Sequence, residues 1–167
     1  MMGVCGCGKS AVGEALAAKL GWPFFDADDF HPPANVEKMA AGTPLTDSDR
    51  WPWLDRLAAE MAAINEQGGN AVLACSALRQ SYRDRIARAG AVRFVYLKGD
   101  RETIAARLRE RTHRYMPPSL LASQFATLEE PTSAIVVDVR DTIPTQVETI
   151  IAALGLASRR RPTNTTT

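Results

Sequence analysis

The chain begins with a glycine-rich run that ends in lysine and serine. Residues 3–10 read GVCGCGKS, the pattern G-x-x-x-x-G-K-S. In such a loop the glycines let successive backbone N–H groups turn inward around phosphate oxygens. The lysine can reach the outer phosphates of a nucleotide, and the serine hydroxyl suits Mg²⁺. The sequence therefore predicts a nucleotide site made by Gly3, Val4, Cys5, Gly6, Cys7, Gly8, Lys9, Ser10 and Ala11.

A glycine-rich turn that matches the pattern by chance is the alternative. Against it, an amphipathic helix is predicted over residues 9–20, with Gly21 placed to end it. The positive N-terminal end of that helix would face the phosphates, as the mechanism needs.

Only Met1 and Met2 precede the loop, although such a loop normally follows a buried strand. That strand is usually central in a parallel sheet, so its loss would leave two neighbouring strands without hydrogen-bond partners. Two methionines are too few to replace it. We therefore expect roughly five to eight further apolar residues upstream in the native protein.

Acidic residues end the next apolar run, in the sequence FFDADD. Asp26 and Asp28 lie two residues apart, so both would point to one side if the strand extends that far. Beside a Mg-nucleotide, one carboxylate could hold the metal through water, and the other could accept a proton from an acceptor hydroxyl. A solvated acidic turn is the alternative.

The following apolar run ends in CSALRQSYRD. Ser76 lies where its hydroxyl could touch a sugar-like acceptor, and Arg79 and Arg83 follow at helical spacing. Arginine binds a carboxylate through two parallel hydrogen bonds, so this pair suits a carboxylated acceptor. A salt-bridged helix surface is the alternative.

A third set of arginines forms one stripe of a later predicted helix. Arg107, Arg111 and Arg114 lie at i, i+4 and i+7 and lead into a segment broken by Pro117 and Pro118. An arginine stripe beneath such a lid could neutralise a phosphoryl group during transfer. A solvated face, with Glu110 pairing with Arg114, is the alternative.

Apolar runs alternate with helical segments along the whole chain. Strands are predicted within residues 22–29, 70–78, 92–100 and 134–139. Helices are predicted over residues 9–20, 33–41, 48–69, 78–90, 100–112, 119–128 and 144–155. Pro52 is tolerable only in the first turn of its helix. Because the strands are uniformly apolar, we predict an α/β fold whose parallel sheet has helices on both faces.

Composition narrows the class of protein. A chain of 167 residues with 46% hydrophobic residues fits one domain. A net charge of +1 gives no broad basic surface for nucleic acid, and no apolar run approaches the roughly 20 residues of a membrane span. Three cysteines do not make a disulfide framework. We expect a cytoplasmic protein with one domain over residues 1–155 and a disordered tail over residues 156–167.

Several stretches resemble the gluconokinase family in order and spacing. They are residues 2–13 (MGVCGCGKSAVG), 26–54 (DADDFHPPANVEKMAAGTPLTDSDRWPWL), 74–84 (ACSALRQSYRD), 96–100 (YLKGD) and 116–131 (MPPSLLASQFATLEEP). The resemblance runs from Met2 to about Gly155. Its most specific part is residues 31–54, with Asn35, Lys38, Met39, Asp47, Asp49, Arg50 and Trp53.

The resemblance implies the fold of nucleoside-monophosphate kinases, with a mobile lid near residues 111–130, and a homodimer. It implies transfer of the γ-phosphate of ATP, with Mg²⁺, to the 6-hydroxyl of D-gluconate, giving 6-phosphogluconate. Residues 31–54 would then form part of the gluconate-binding region. The implied acceptor-binding residues, together with those proposed above, are Asp28, His31, Lys38, Arg50, Ser76, Arg79 and Arg83.

The sequence FFDAD is also similar to the F-x-D-x-D of shikimate kinases. In that family the first aspartate lies near Mg²⁺ and the second contacts the reacting hydroxyl. This similarity implies that Asp26 joins Ser10 at the metal and that Asp28 acts on the acceptor. The catalytic residues are then predicted to be Lys9, Asp28, Arg107 and Arg111.

Two other functions stay open at this point. The hypothesis of a shikimate kinase is weakened because a pair of glycines suited to that acceptor is expected at the end of a strand. Here Gly68 and Gly69 precede a strand instead. A non-catalytic nucleotide-binding switch is disfavoured by the paired aspartates and the lid. The chain also departs from the family pattern, with Cys5 and Cys7 in place of two loop serines and with His113 one position away from the usual lid histidine, before Arg114. Because the loop works through backbone N–H groups, small side chains at positions 5 and 7 should be interchangeable.

Overall fold

The computed structural model describes residues 1–110 and 118–156, with only the backbone at positions 110, 118 and 119. The strands are β1 (Phe24–Asp26), β2 (Val72–Ala74), β3 (Val95–Lys98) and β4 (Ile135–Asp138). The helices are α1 (Lys9–Leu20), α2 (Pro33–Ala40), α3 (Asp47–Glu66), α4 (Gln80–Ala87), α5 (Arg101–Glu110), α6 (Pro118–Thr127) and α7 (Ile143–Ala153), with a 3-10 helix (Ala27–Phe30) after β1. The predicted α/β alternation is confirmed, although each strand is shorter than its apolar run.

The strands pair in parallel, β1 with β2 and β3 with β4. Met1 and Met2 lie between these two pairs. The Met1 nitrogen donates to the Leu73 carbonyl at 2.7 Å, and the Cys75 N–H donates to the Met1 carbonyl at 3.0 Å. On the other side, the Met2 N–H donates to Val95 at 2.7 Å, and the Leu97 N–H donates to Met2 at 3.0 Å.

Met1 and Met2 thus give both strand pairs backbone partners next to the loop without forming a strand of their own, and the further upstream residues stay a prediction. Successive residues of an extended chain direct their backbone groups to opposite sides, so one residue can serve β2 and the next can serve β3. The pairing with β3 is a single parallel bridge between Met2 and Tyr96. The phosphate loop therefore leaves from the middle of the sheet.

Helices cover both faces of this sheet, as predicted. On β3, Val95 and Leu97 belong to a core cluster shared with α1, α5 and α7, whereas Tyr96 between them belongs to a second cluster with α3 and α4. This alternation follows from the two-residue period of a strand. No helix in residues 1–110 or 118–156 is long and apolar enough to cross a membrane.

The start of α3 differs from the sequence expectation. Thr46 caps the helix, and its side chain and that of Asp49 bond each other's backbone N–H groups in a capping box. The helix thus begins at Asp47, which places Pro52 in the second turn instead of the first. Because proline has no N–H to donate, that turn lacks one helical hydrogen bond.

Candidate active site

The phosphate loop connects Met2 to α1 at the carboxyl ends of the strands. Gly3, Gly6 and Gly8 have φ values of 138°, 84° and 102°. These left-handed values favour glycine, which explains the spacing of glycines in the sequence. Gly8 is the N-cap of α1, and no side chain among the described residues caps this helix. The first N–H groups of α1 can therefore bind an anion.

Lys9 lies folded along the loop. Its Nζ donates to the carbonyl oxygens of Gly3 and Val4, each at 3.1 Å. These contacts place the ammonium group beside the backbone that would surround a phosphate. The Cys7 thiol is buried, and a Cβ on Gly3 would lie 2.9 Å from its Sγ. Burial raises the pKa of Cys7, so this position packs the loop against the core as a neutral thiol.

Ser10 and Asp26, which the sequence predicts at the metal, are brought together. The Ser10 hydroxyl donates to Asp26 Oδ2 at 3.0 Å. Within residues 1–110 and 118–156, no three His, Cys, Asp or Glu side chains converge as a metal cage. A magnesium ion is usually held by one or two protein groups together with phosphates and water. The Ser10–Asp26 pair has the right chemistry for such a site.

Asp28 is not on the same strand as Asp26. Strand β1 ends at Asp26, whose Oδ1 accepts a hydrogen bond from the Asp28 N–H at 3.1 Å. This cap starts the 3-10 helix, so the strand does not extend to Asp28 and the condition for both carboxylates to project from one side of it is not met. The side chain of Asp28 is 82% exposed, and its Oδ1 lies 4.0 Å from His31 Nε2. Asp28 therefore presents an exposed carboxylate near the end of β1.

His31 is held against α3. Its side chain is 4% exposed and its ring stacks on Trp53, with 4.1 Å between ring centroids. The Trp53 indole N–H donates to the Ala27 carbonyl at 2.8 Å, which fixes the stack beneath the 3-10 helix. Burial lowers the pKa of His31, with Asp28 acting in the opposite direction. His31 thus favours its neutral form in the folded protein.

Lys38 joins α2 to the start of α3. Its Nζ donates to Asp49 Oδ1 at 2.7 Å, and the Asn35 amide donates to the Asp49 carbonyl at 2.9 Å. The Lys38 hydrogen bond, followed by those from Thr46, lowers the pKa of Asp49 to about 2. The role of Lys38 as an acceptor ligand stays a prediction, and its present partner is Asp49.

Asp47 brings together two of the predicted acceptor-binding arginines. Its carboxylate accepts from Tyr82 Oη at 2.5 Å and from Arg79 at 2.8 Å, and lies 3.7 Å from Arg50. Both guanidinium groups also lie over the Tyr82 ring, 5.7 and 5.8 Å from its centroid. Sequence reasoning gave no role to Tyr82, which stood within a quoted motif but had no catalytic pattern of its own.

Ser76 lies in the turn after β2, and Arg83 on α4 contacts that same turn. The Ser76 carbonyl accepts from the Gly3 N–H at 3.2 Å, which ties the turn to the phosphate loop. Arg83 is only 2% exposed and donates to the carbonyls of Ala77 and Leu78 at 2.9 and 3.1 Å. Ala77 has a φ of 43°, a conformation that needs such support. The observed contacts of Arg83 stabilise the backbone of this turn. The binding of Arg83 to an acceptor stays a prediction.

The predicted lid is only partly described. Arg107 on α5 donates to the Val139 carbonyl, at the end of β4. Arg111, His113 and Arg114 lie outside the described residues, so their predicted roles stay predictions. One contact from α6 was missed by sequence reasoning: the Cys5 N–H donates to Gln124 Oε1 at 2.6 Å. The two residues are 119 positions apart, and no local pattern indicates the pairing.

Residues 5–154 match the family described as "Shikimate kinase". Among relatives, the thermosensitive gluconokinase of Escherichia coli (strain K12) is 45% identical over 78% of this chain and 71% of that protein. The gluconokinase of Gluconobacter oxydans (strain 621H) is 47% identical over 78% of this chain and 74% of that protein.

Solved structures agree with these relatives. A gluconokinase from Sinorhizobium meliloti 1021 superposes with a TM-score of 0.83 at 42% identity, covering 93% of this chain and 89% of that one. The Mycobacterium tuberculosis APS kinase CysC, at 18% identity and a TM-score of 0.68, covers 92% of this chain and 94% of that one, and shows the shared fold alone. This chain therefore belongs to the gluconokinase family, within the wider group of shikimate-kinase-like enzymes, and is a phosphotransferase with a P-loop kinase fold.

Proposed function

We propose that this protein transfers the γ-phosphate of ATP to the 6-hydroxyl of D-gluconate, giving 6-phospho-D-gluconate and ADP. The observation that carries the nucleotide half of the proposal is the Ser10–Asp26 hydrogen bond beside the open phosphate loop. These groups are the ones that a Mg-nucleotide needs. The acceptor is inferred from relatives that are named gluconokinases.

In this proposal residues 3–11 form the loop around the phosphates, with the first N–H groups of α1 directed at them. Ser10 and Asp26 would hold Mg²⁺, whose charge would offset that of the phosphates. Lys9 leaves its contacts with Gly3 and Val4 for the phosphate oxygens. Because phosphoryl transfer needs positioning and charge neutralisation more than covalent help, these contacts supply most of the rate.

Asp28 orients the acceptor hydroxyl and accepts its proton as the oxygen bonds to the γ-phosphorus. The bond between that phosphorus and the bridging oxygen of ADP breaks in the same step. The exposure of Asp28 supports this role, because an exposed carboxylate can reach a bound acceptor. Arg107 and Arg111 are proposed to approach the transferred phosphoryl group, which for Arg107 requires release from Val139.

The acceptor carboxylate is proposed to bind at the arginines around Asp47. Arg50 and Arg79 lie on either side of a single carboxylate, that of Asp47, and Arg79 is 42% exposed. A carboxylated sugar acid could share these two guanidinium groups. His31, Lys38, Ser76 and Arg83 complete the proposed acceptor region, with Arg83 acting through the turn that carries Ser76.

The resemblance also supports three broader proposals. We expect one kinase domain over residues 1–155 with a lid near residues 111–130, a homodimer, and a cytoplasmic location. We expect no nucleic-acid or membrane partner, since the net charge is +1 and the substrate is a small molecule.

The test is ADP release from Mg-ATP with D-gluconate, with shikimate and with no acceptor. Wild type should release ADP only with gluconate, and Lys9→Ala should lose at least about a hundredfold in kcat because the outer phosphates lose their cation. Lys19→Ala is the matched control, since it removes the same charge from the exposed last turn of α1.

Each other outcome contradicts part of the proposal. Near-normal turnover by Lys9→Ala would remove the phosphate loop from the mechanism. Shikimate-dependent release would favour the second candidate, a shikimate kinase, which the family match keeps in view. Release that ignores both acceptors would indicate a nucleotide-hydrolysing switch.

A further inference from the structure

The phosphate loop contacts two helices that flank positions 111–117 in the chain. On one side, the Cys5 N–H donates to Gln124 Oε1 on α6 at 2.6 Å. On the other side, Gly6 packs against Leu108 on α5, so closely that a Cβ on Gly6 would lie 2.8 Å from Leu108 Cγ. The Cys5–Gly6 segment is therefore held between α5 and α6.

The Gln124 contact differs from the other described hydrogen bonds of residues 3–8, because a side-chain oxygen accepts from a backbone N–H of the loop. In a loop that binds phosphate through N–H groups, each N–H that points to a side chain fixes the orientation of the neighbouring peptide groups. Gly6, which follows Cys5, has a φ of 84° and no Cβ to restrict it. An anchor at Cys5 therefore limits a part of the loop that glycine would otherwise leave free.

We propose that Gln124 is a positioning residue, which ties the phosphate loop to α6 and holds the Cys5–Gly6 segment in the conformation that receives the nucleotide phosphates. This inference rests on the proposed use of a Mg-nucleotide. Gln124 does not need to touch the nucleotide, since its side-chain oxygen is occupied by the Cys5 N–H. The contact restricts the loop before nucleotide binds, so the loop loses less conformational entropy when phosphate binds.

The test uses the full chain with Gln124→Met, which keeps an unbranched side chain of similar length and removes the acceptor oxygen. Gln67→Leu is a matched control, because it also exchanges an amide for an apolar group, at the exposed end of α3. Calorimetry would measure the Kd of Mg-ADP, and steady-state kinetics would measure the KM of ATP and of gluconate. Hydrogen exchange would measure the exchange rate of the Cys5 N–H in the absence of nucleotide.

For Gln124→Met we expect the Kd of Mg-ADP and the KM of ATP to rise roughly three- to tenfold, the range of one lost hydrogen bond. The KM of gluconate should stay within about twofold, and Cys5 exchange should accelerate. Unchanged nucleotide affinity would overturn the proposal. Equal increases in both KM values, with a lower Tm, would also overturn it, because they would indicate general loosening of the fold.

The two proposals can fail separately. If wild type bound Mg-ADP but did not phosphorylate gluconate, the proposed reaction would fail while the binding and exchange results still decided the role of Gln124. If wild type bound no Mg-ADP, both proposals would fail.

Discussion

At the scale of single residues, His31 shows how packing controls a group that ordinarily titrates near neutral pH. Its ring stacks on Trp53, and its side chain is almost fully removed from water. Burial disfavours the charged imidazolium, and the nearby Asp28 carboxylate only partly opposes that effect. The folded protein therefore binds a proton at His31 less readily than the unfolded chain does.

This difference predicts a pH dependence of stability. Because the folded pKa of His31 lies below the ordinary value of about 6.5, its contribution is complete above that pH and is lost as the pH falls through the folded pKa. Urea unfolding midpoints would be measured at pH 8, 7, 6 and 5. As the pH falls, the midpoint should decrease more steeply for the protein that keeps His31 than for the His31→Gln variant.

Both proteins in this comparison should also carry His113→Gln. One protein then contains His31 as its single histidine, and the other contains no histidine. A constant difference between the two proteins over the whole range would show that His31 is not buried as the structure has it.

At the scale of elements, the start of α3 organises the proposed acceptor region. The capping box of Thr46 and Asp49 begins the helix, and Asp49 also receives Lys38 and Asn35 from α2. One turn therefore supplies both the first hydrogen bonds of a 20-residue helix and the anchor of its neighbour. Asp47 in the same turn positions Arg79 and Tyr82.

Removing the Thr46 hydroxyl should weaken this element. Thr46→Ala is expected to lower the free energy of unfolding by about 1 kcal/mol, because the Asp49 N–H loses its acceptor at the N-cap. Thr46→Ser keeps the hydroxyl and should cost only a few tenths of that. Urea unfolding of both variants checks the prediction, and equal losses would assign the effect to the missing methyl group instead.

At the scale of the whole molecule, a sheet with two buried faces divides the core. Leu54 lies in the cluster between the sheet and α3 and α4, and it is 0% exposed. Met2 in the same cluster links this core to the backbone positions between β2 and β3. The sheet, and with it the base of the phosphate loop, depends on this packing.

Leu54→Ala should therefore lower the free energy of unfolding by about 2–5 kcal/mol, the cost of lost apolar burial and of the cavity left behind. Leu120→Ala is the control, because Leu120 on α6 is 43% exposed and makes less buried contact. Denaturant unfolding with both variants gives the comparison. Equal costs would show that the α3 side of the sheet is not tightly packed.

Local patterns in the sequence were sufficient to predict the phosphate loop, the α/β alternation and the family. The spacing of glycines indicates a backbone conformation, and the period of apolar residues indicates whether a helix or a strand forms. Both patterns depend on residues that are close together in the sequence. The similarity to shikimate kinases placed Ser10 and Asp26 together, and the structure has the two side chains in hydrogen-bond contact.

Only the tertiary structure decided which side chains meet across the fold. Asp47 joins Tyr82 across 35 positions, and Cys5 joins Gln124 across 119. Arg79 and Arg83 share one sequence motif, yet one reaches Asp47 near the surface and the other is buried against a turn. These outcomes depend on how helices pack on the sheet, which turns one face of each helix inward.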